Sequence, residues 1–125
     1  MPDPQGRQSI DEAILRQLLA DTGASAFREL VAGCRVELPA LVAAASRVAA
    51  GRDLEALRRE AHSIKGIALT FGLVQISEPA EAAEAACDAG QAEPAQRLMA
   101  LLRERLPATL IALGRAVEAI RGRPG

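Results

Sequence analysis

The segment LRREAHSIKGIALTFG, residues 57–72, holds the only histidine of the chain, and the phase of its apolar residues decides both the fold and the part that histidine can play. At about 100° per residue, Leu54, Leu57, Ala61, Ile64, Ala68 and Phe71 gather on one side of a helix, while Glu55, Arg58, Arg59, His62, Gly66 and Leu69 share another. A single apolar stripe of this kind is the core face of a helix packed against other helices. His62 lies about 130° from the centre of that face, so its ring is expected at or near the surface. Lys65 sits one turn away, at the border.

The flanking sequence repeats the pattern. Asp53, after the turn AAGRD, is a good N-cap for this helix, and Gly72 is its stop. Upstream, Phe27, Leu30, Val31, Cys34, Leu38, Leu41, Val42, Ala45 and Val48 keep helical spacing, which predicts a long helix capped by Ser25 and running to about Ala50. Pro39 lies inside it and predicts a kink near residues 36–38, with the helix continuing because the stripe keeps its phase. Before that, Ser9 and Glu12 read as a capping box opening a short helix with Ile10, Ile14, Leu15 and Leu18, which ends near the sequence DTG.

Downstream, a fourth helix is expected over residues 74–89. Pro79 leaves two readings: a kinked helix beginning at Val74, or a turn followed by a helix capped by Ser77 with Pro79 in its first turn. Pro94 opens a last helix whose Met99, Leu102, Leu106, Leu110, Leu113, Val117 and Ile120 recur at spacings of three and four, with Pro107 as another expected kink. The pattern predicts an all-α protein, an up-and-down four-helix bundle with a short N-terminal capping helix. One domain is expected over residues 9–121, between a disordered N-terminal tail at 1–8 and a C-terminal tail at 122–125. These polar ends read as the tails of a stand-alone protein.

Composition sets outer limits. Half of the 125 residues are apolar and the net charge is −1, enough for one core without disulfides or metal. Phe27 and Phe71 are the only aromatics, so the core must be made from Leu, Ile, Val and Ala. Cys34 and Cys87 lack metal-binding or redox spacing and read as buried, reduced thiols. No apolar run approaches the roughly 18 residues of a membrane span, and the stretch MPDPQGRQS lacks the apolar core that secretion needs, so a cytoplasmic location is expected. No basic stripe carries interleaved aromatics, so nucleic-acid binding is not expected.

Two neighbours give His62 a chemistry. Gly66 occupies a helix interior where Ala would be better by about 1 kcal/mol, and it clears space one turn beyond the imidazole. Lys65 places an ammonium within reach of an anion formed on the ring. A neutral nucleophile, room for a bulky partner and a nearby cation suit phosphoryl transfer better than metal binding or hydrolysis.

The residues AHSIKGIALTFG also resemble the signature of the histidine phosphotransfer (HPt) domains of two-component phosphorelays, a histidine followed by Lys-Gly at the third and fourth positions and then by a helix-ending glycine. They are similar, too, to the phosphorylated domain of chemotaxis histidine kinases. The resemblance extends through IDEAILRQLLADTG, the second helix and ISEPAEAAEAACDAG, about residues 9–120. It implies that His62 is phosphorylated, that Lys65 is its electrostatic partner and that Gly66 admits the partner's active site. Glu84 matches a position where the family places Glu or Gln beside the histidine; there it would accept the Nδ1 proton and leave Nε2 free to attack. Pro79 is a departure that puts the placement of Glu84 in question.

The resemblance further implies a phosphocarrier that is not itself an enzyme. It would take a phosphoryl group from a receiver-domain aspartate and pass it to another receiver. Its partners would be response-regulator receiver domains and a hybrid or chemotaxis-type histidine kinase. No glycine-rich nucleotide loop or paired acidic metal ligands occur, so no cofactor is expected, and Mg²⁺ would belong to the receiver. Arg58, Arg59, Ile67 and Leu69 would surround His62 as a docking face, the arginines and Lys65 steering it toward clustered receiver carboxylates. Two other readings compete: a phosphoacceptor domain excised from a larger kinase, and a non-catalytic helical adaptor.

Overall fold

Five helices make up the computed structural model, which describes residues 10–122: α1 Glu12–Thr22, α2 Ala24–Ala50, α3 Leu54–Thr70, α4 Val74–Asp88 and α5 Ala92–Arg121. The tail expected at residues 1–8 lies outside the described residues, as does all but the first residue of the tail expected at 122–125; that residue, Gly122, is the C-cap of α5. Helix α2 packs on α3 and α5, and α4 packs on the same two, so the four long helices enclose a core as a ring of neighbours. Helix α1 rests against α2, α3 and α5.

The core is aliphatic, with Leu38, Leu57, Ile64, Leu73, Ile76, Met99, Leu102 and Leu113 fully buried around Phe27. Each such side chain contributes about 1.5–3 kcal/mol relative to exposure. The phase expected for α3 is the phase observed: Leu57, Ala61, Ile64, Ala68 and Phe71 are buried, and Leu54 packs against the core in part. Cys34 and Cys87 are free and buried, and burial pushes the Cys34 thiol up to about 11.

Asp53 caps α3 as expected, its Oδ1 accepting the Ala56 N–H at 3.0 Å. The starts of α1 and α2 differ from expectation. Ser9 lies outside the described residues, and α1 begins at Glu12 with Asp11 as its cap, Oδ1 accepting from the Ala13 N–H at 3.1 Å. The reason is long-range. Ile10 is buried and forms an antiparallel bridge with Leu73, while the Asp11 N–H donates to the Gly72 carbonyl at 2.8 Å, so residues 10 and 11 are extended instead of helical. Gly72 makes this possible: its φ is +69°, and a Cβ there would stand 2.6 Å from the Asp11 carbonyl oxygen. Ser25 is not a cap either, because α2 begins at Ala24. Gly23, at φ +88°, both closes α1 onto Leu19 and precedes α2, so the chain turns at a single residue and no side chain caps the second helix.

Pro39 and Pro107 lie within unbroken helices. Pro79 does too, since α4 starts at Val74, the first of the two readings. Proline at position 79 cannot donate to the Gln75 carbonyl. Arg105 of α5 supplies the missing donor, its Nη1 reaching that oxygen at 3.1 Å.

Candidate functional site

His62 and Lys65 come from α3 and Glu84 from α4, whose small core residues Ala80 and Ala83 let the two helices approach closely. The His62 side chain is 65 % exposed, on the face the sequence predicts. Glu84 follows Ala83 at the edge of the buried face and is itself 8 % exposed. Its two oxygens divide their partners between them: Oε1 accepts from Lys65 Nζ at 2.6 Å, and Oε2 lies 3.0 Å from His62 Nδ1. Arg58 Nη2 stands 3.6 Å from the same Oε2.

Burying a carboxylate is costly unless charged donors surround it. Here they do. The Lys65 hydrogen bond, helped by that of His62, holds the Glu84 carboxyl below the ordinary 4.5 against the opposing effect of burial. An ionised carboxylate only accepts hydrogen bonds, so the contact calls for a proton on Nδ1 and, in a neutral ring, leaves the lone pair on Nε2. One turn along α3, a Cβ on Gly66 would meet nothing within 4 Å. Open space therefore adjoins the ring. The arrangement offers an exposed imidazole nucleophile with a fixed tautomer, buttressed by an ion pair.

Two features were not legible beforehand. Lys65 does not stand free but is held by Glu84. Asp88, one turn past Glu84, takes Arg58 Nε at 2.6 Å and raises its pKa, chiefly through that hydrogen bond. The i, i+4 spacing of Glu84 and Asp88 on α4 was the available signal. Of the expected docking residues, Arg58 is thus tied to α4, and Arg59 is exposed and pairs with Glu55 at 3.4 Å. Leu69 is 55 % exposed, whereas Ile67 is half-buried against the core.

Residues 28–121, well over half of the chain, match the family model of the Hpt domain. The chain belongs to the Hpt-domain family. Hpt domains perform histidine phosphotransfer in two-component phosphorelays, as phosphocarriers without an ATP-binding catalytic site, and interact with receiver domains and histidine kinases. The match to the Hpt domain takes in α3, α4 and α5 and nearly all of α2, while α1 precedes it. No curated protein and no solved structure matches the chain. Among the described residues of this Hpt domain, no helix is long and apolar enough to cross a membrane, and no group of His, Cys, Asp and Glu is placed to hold a metal ion.

Proposed function

We propose that this protein is a phosphorelay intermediate in which His62 accepts a phosphoryl group from the aspartyl phosphate of one receiver domain and passes it to the aspartate of another. The observation that carries this reading is the 3.0 Å contact of His62 Nδ1 with Glu84 Oε2, made by a ring that is otherwise exposed. Nε2 attacks phosphorus, the N–P bond forms as the P–O bond to the donor aspartate breaks, and the carboxylate leaves. The ring keeps its Nδ1 proton, hydrogen-bonded to the Glu84 carboxylate, whose negative charge offsets the positive charge that develops on the imidazole. Lys65 serves the phosphoryl group as well as Glu84, and the bare Gly66 leaves room for the receiver's active site. Arg58, Arg59 and Leu69 form the exposed part of the docking face, and Ile67 supports it from below.

Mg²⁺ and the acceptor carboxylate belong to the receiver in this scheme, and the relay operates in the cytoplasm. The ring of neighbours joined by short connections supports up-and-down topology for the four long helices. The test is incubation with a panel of phosphorylated receiver domains, followed by assay for acid-labile, base-stable label. The wild type should become labelled and His62→Gln should not, with helicity and melting temperature unchanged because the ring is exposed. Labelling by no receiver overturns the reading; labelling only by an ATP-bound kinase catalytic domain assigns the chain to the kinase-domain alternative instead.

A further inference from the structure

On the other side of the bundle, arginines that take no part in the His62 site line a groove between α2 and α5. Arg28 and Arg35 contribute from α2, Arg115 and Arg121 from α5, and Glu118 is the single acidic residue of the lining. Among the described residues none of these arginines forms an ion pair. Four arginines against one glutamate leave a local excess of positive charge in a chain whose net charge is −1. Between them the lining is apolar: Val31 and Val117 are buried beneath it, and Ile111 is 57 % exposed.

Gly114 shapes this groove. It interrupts the interior of a 30-residue helix, where glycine is unfavourable, and a Cβ there would stand 3.3 Å from Arg35 Nη1. That nitrogen donates to the Leu110 carbonyl at 3.1 Å, so the Arg35 side chain crosses from α2 and lies on α5. One donor holds the guanidinium in place, and the rest of its planar fork stays available for an incoming carboxylate.

We propose that the groove docks an acidic amphipathic helix of a partner protein, its carboxylates meeting the arginines and its apolar side chains covering Ile111. Charge complementarity carries this choice, because arginine forks match carboxylates in pairs. Residues 111–121 of α5 extend about 15 Å, three helical turns, so the apolar strip suits one helix laid between α2 and α5. A nucleic-acid strand would find no aromatic side chain to stack on. His62 and Glu84 occupy the α3/α4 seam, and the ring of neighbours places the α2/α5 groove opposite, so both sites can be filled together. This surface does not depend on phosphoryl transfer at His62.

The test is a titration of the ¹⁵N-labelled full chain with a capped 14-residue helical peptide that carries leucines at i, i+3, i+4 and i+7 and glutamates on the flanks. Saturable shifts centred on Ile111 and Gly114, with none at His62, are expected. Arg28→Glu combined with Arg115→Glu should weaken binding at least tenfold, Ile111→Glu should do the same, and a peptide with lysines in place of the glutamates should not bind. If the double arginine variant loses helicity, the wild-type shift map and Ile111→Glu decide. The proposal is overturned by the absence of saturable shifts, by shifts centred on α3, or by equal affinity in the folded variants. It is equally overturned if phosphatidylglycerol vesicles or a DNA duplex perturb the groove and the peptide does not.

Discussion

His62 Nδ1 lies 3.0 Å from Glu84 Oε2, which joins an exposed ring on α3 to a nearly buried carboxylate on α4. If that contact orients the nucleophile, removing the carboxylate should slow phosphoryl acceptance while leaving the fold intact. Glu84→Ala is expected to lower the initial labelling rate by about tenfold, the low end of what partners that orient a reactive imidazole contribute. Glu84→Gln keeps an acceptor for the Nδ1 proton and should fall between Ala and wild type. Wild-type rates in both variants would remove Glu84 from the mechanism.

Because Lys65 holds Glu84 low, the acid limb of stability follows from the sign of that shift. A carboxyl whose pKa is depressed on folding contributes stability that is present above the ordinary value of 4.5 and is lost as pH falls through its own lower pKa. The Glu84 carboxyl carbon should therefore titrate by NMR with a midpoint below 4.5, and Lys65→Ala should move that midpoint upward. In urea unfolding, the advantage of wild type over Glu84→Gln should shrink as the solution is acidified below that range. A midpoint at or above 4.5 in the wild type would contradict the ion pair as described.

Gly66 separates folding from docking. A Cβ at this position meets nothing within 4 Å, and a better helix former replaces glycine in Gly66→Leu, so the variant should melt at the wild-type temperature or slightly above it. Transfer from a receiver should nevertheless fall at least a hundredfold, measured as labelling rate at fixed receiver concentration. Normal transfer would show that the space beside the ring is not used.

Gly72 presents the opposite case. Its φ of +69° and the 2.6 Å approach of the Asp11 carbonyl oxygen leave a methyl group no place without moving backbone. Gly72→Ala should cost about 2–4 kcal/mol, read from denaturant midpoints, through strain at that φ and loss of the Asp11 hydrogen bond. A change below about 0.5 kcal/mol would mean that residues 10 and 11 are not anchored there in solution.

Much of this could be read from the chain because α3 is governed by local periodicity: the same stripe that buries Leu57, Ala61, Ile64 and Ala68 sends His62 to the surface. The cap of α3 was legible for the same reason, since Asp53 needs only the next turn. The caps of α1 and α2 were not. Ser9 and Ser25 are good caps by type, but the burial of Ile10 beside Leu73 and the one-residue turn at Gly23 decide where those helices start, and neither is visible in a local window. Within the site, the place of Glu84 is legible through the family resemblance. The Arg58–Asp88 pair is invisible to a local window because its partners are 30 residues apart in sequence.

The bond from Arg105 to the Gln75 carbonyl carries a consequence for how this sequence can drift. Arginine at 105 makes good the donor that proline at 79 removed, so the two positions constrain each other across α4 and α5. Losing the arginine alone strands a carbonyl, and a residue with an N–H at 79 makes the arginine's donation redundant. Among descendants of this chain, substitutions at 79 and 105 should therefore be inherited as a correlated pair, a signature in the genetic record of one hydrogen bond moved from backbone to side chain.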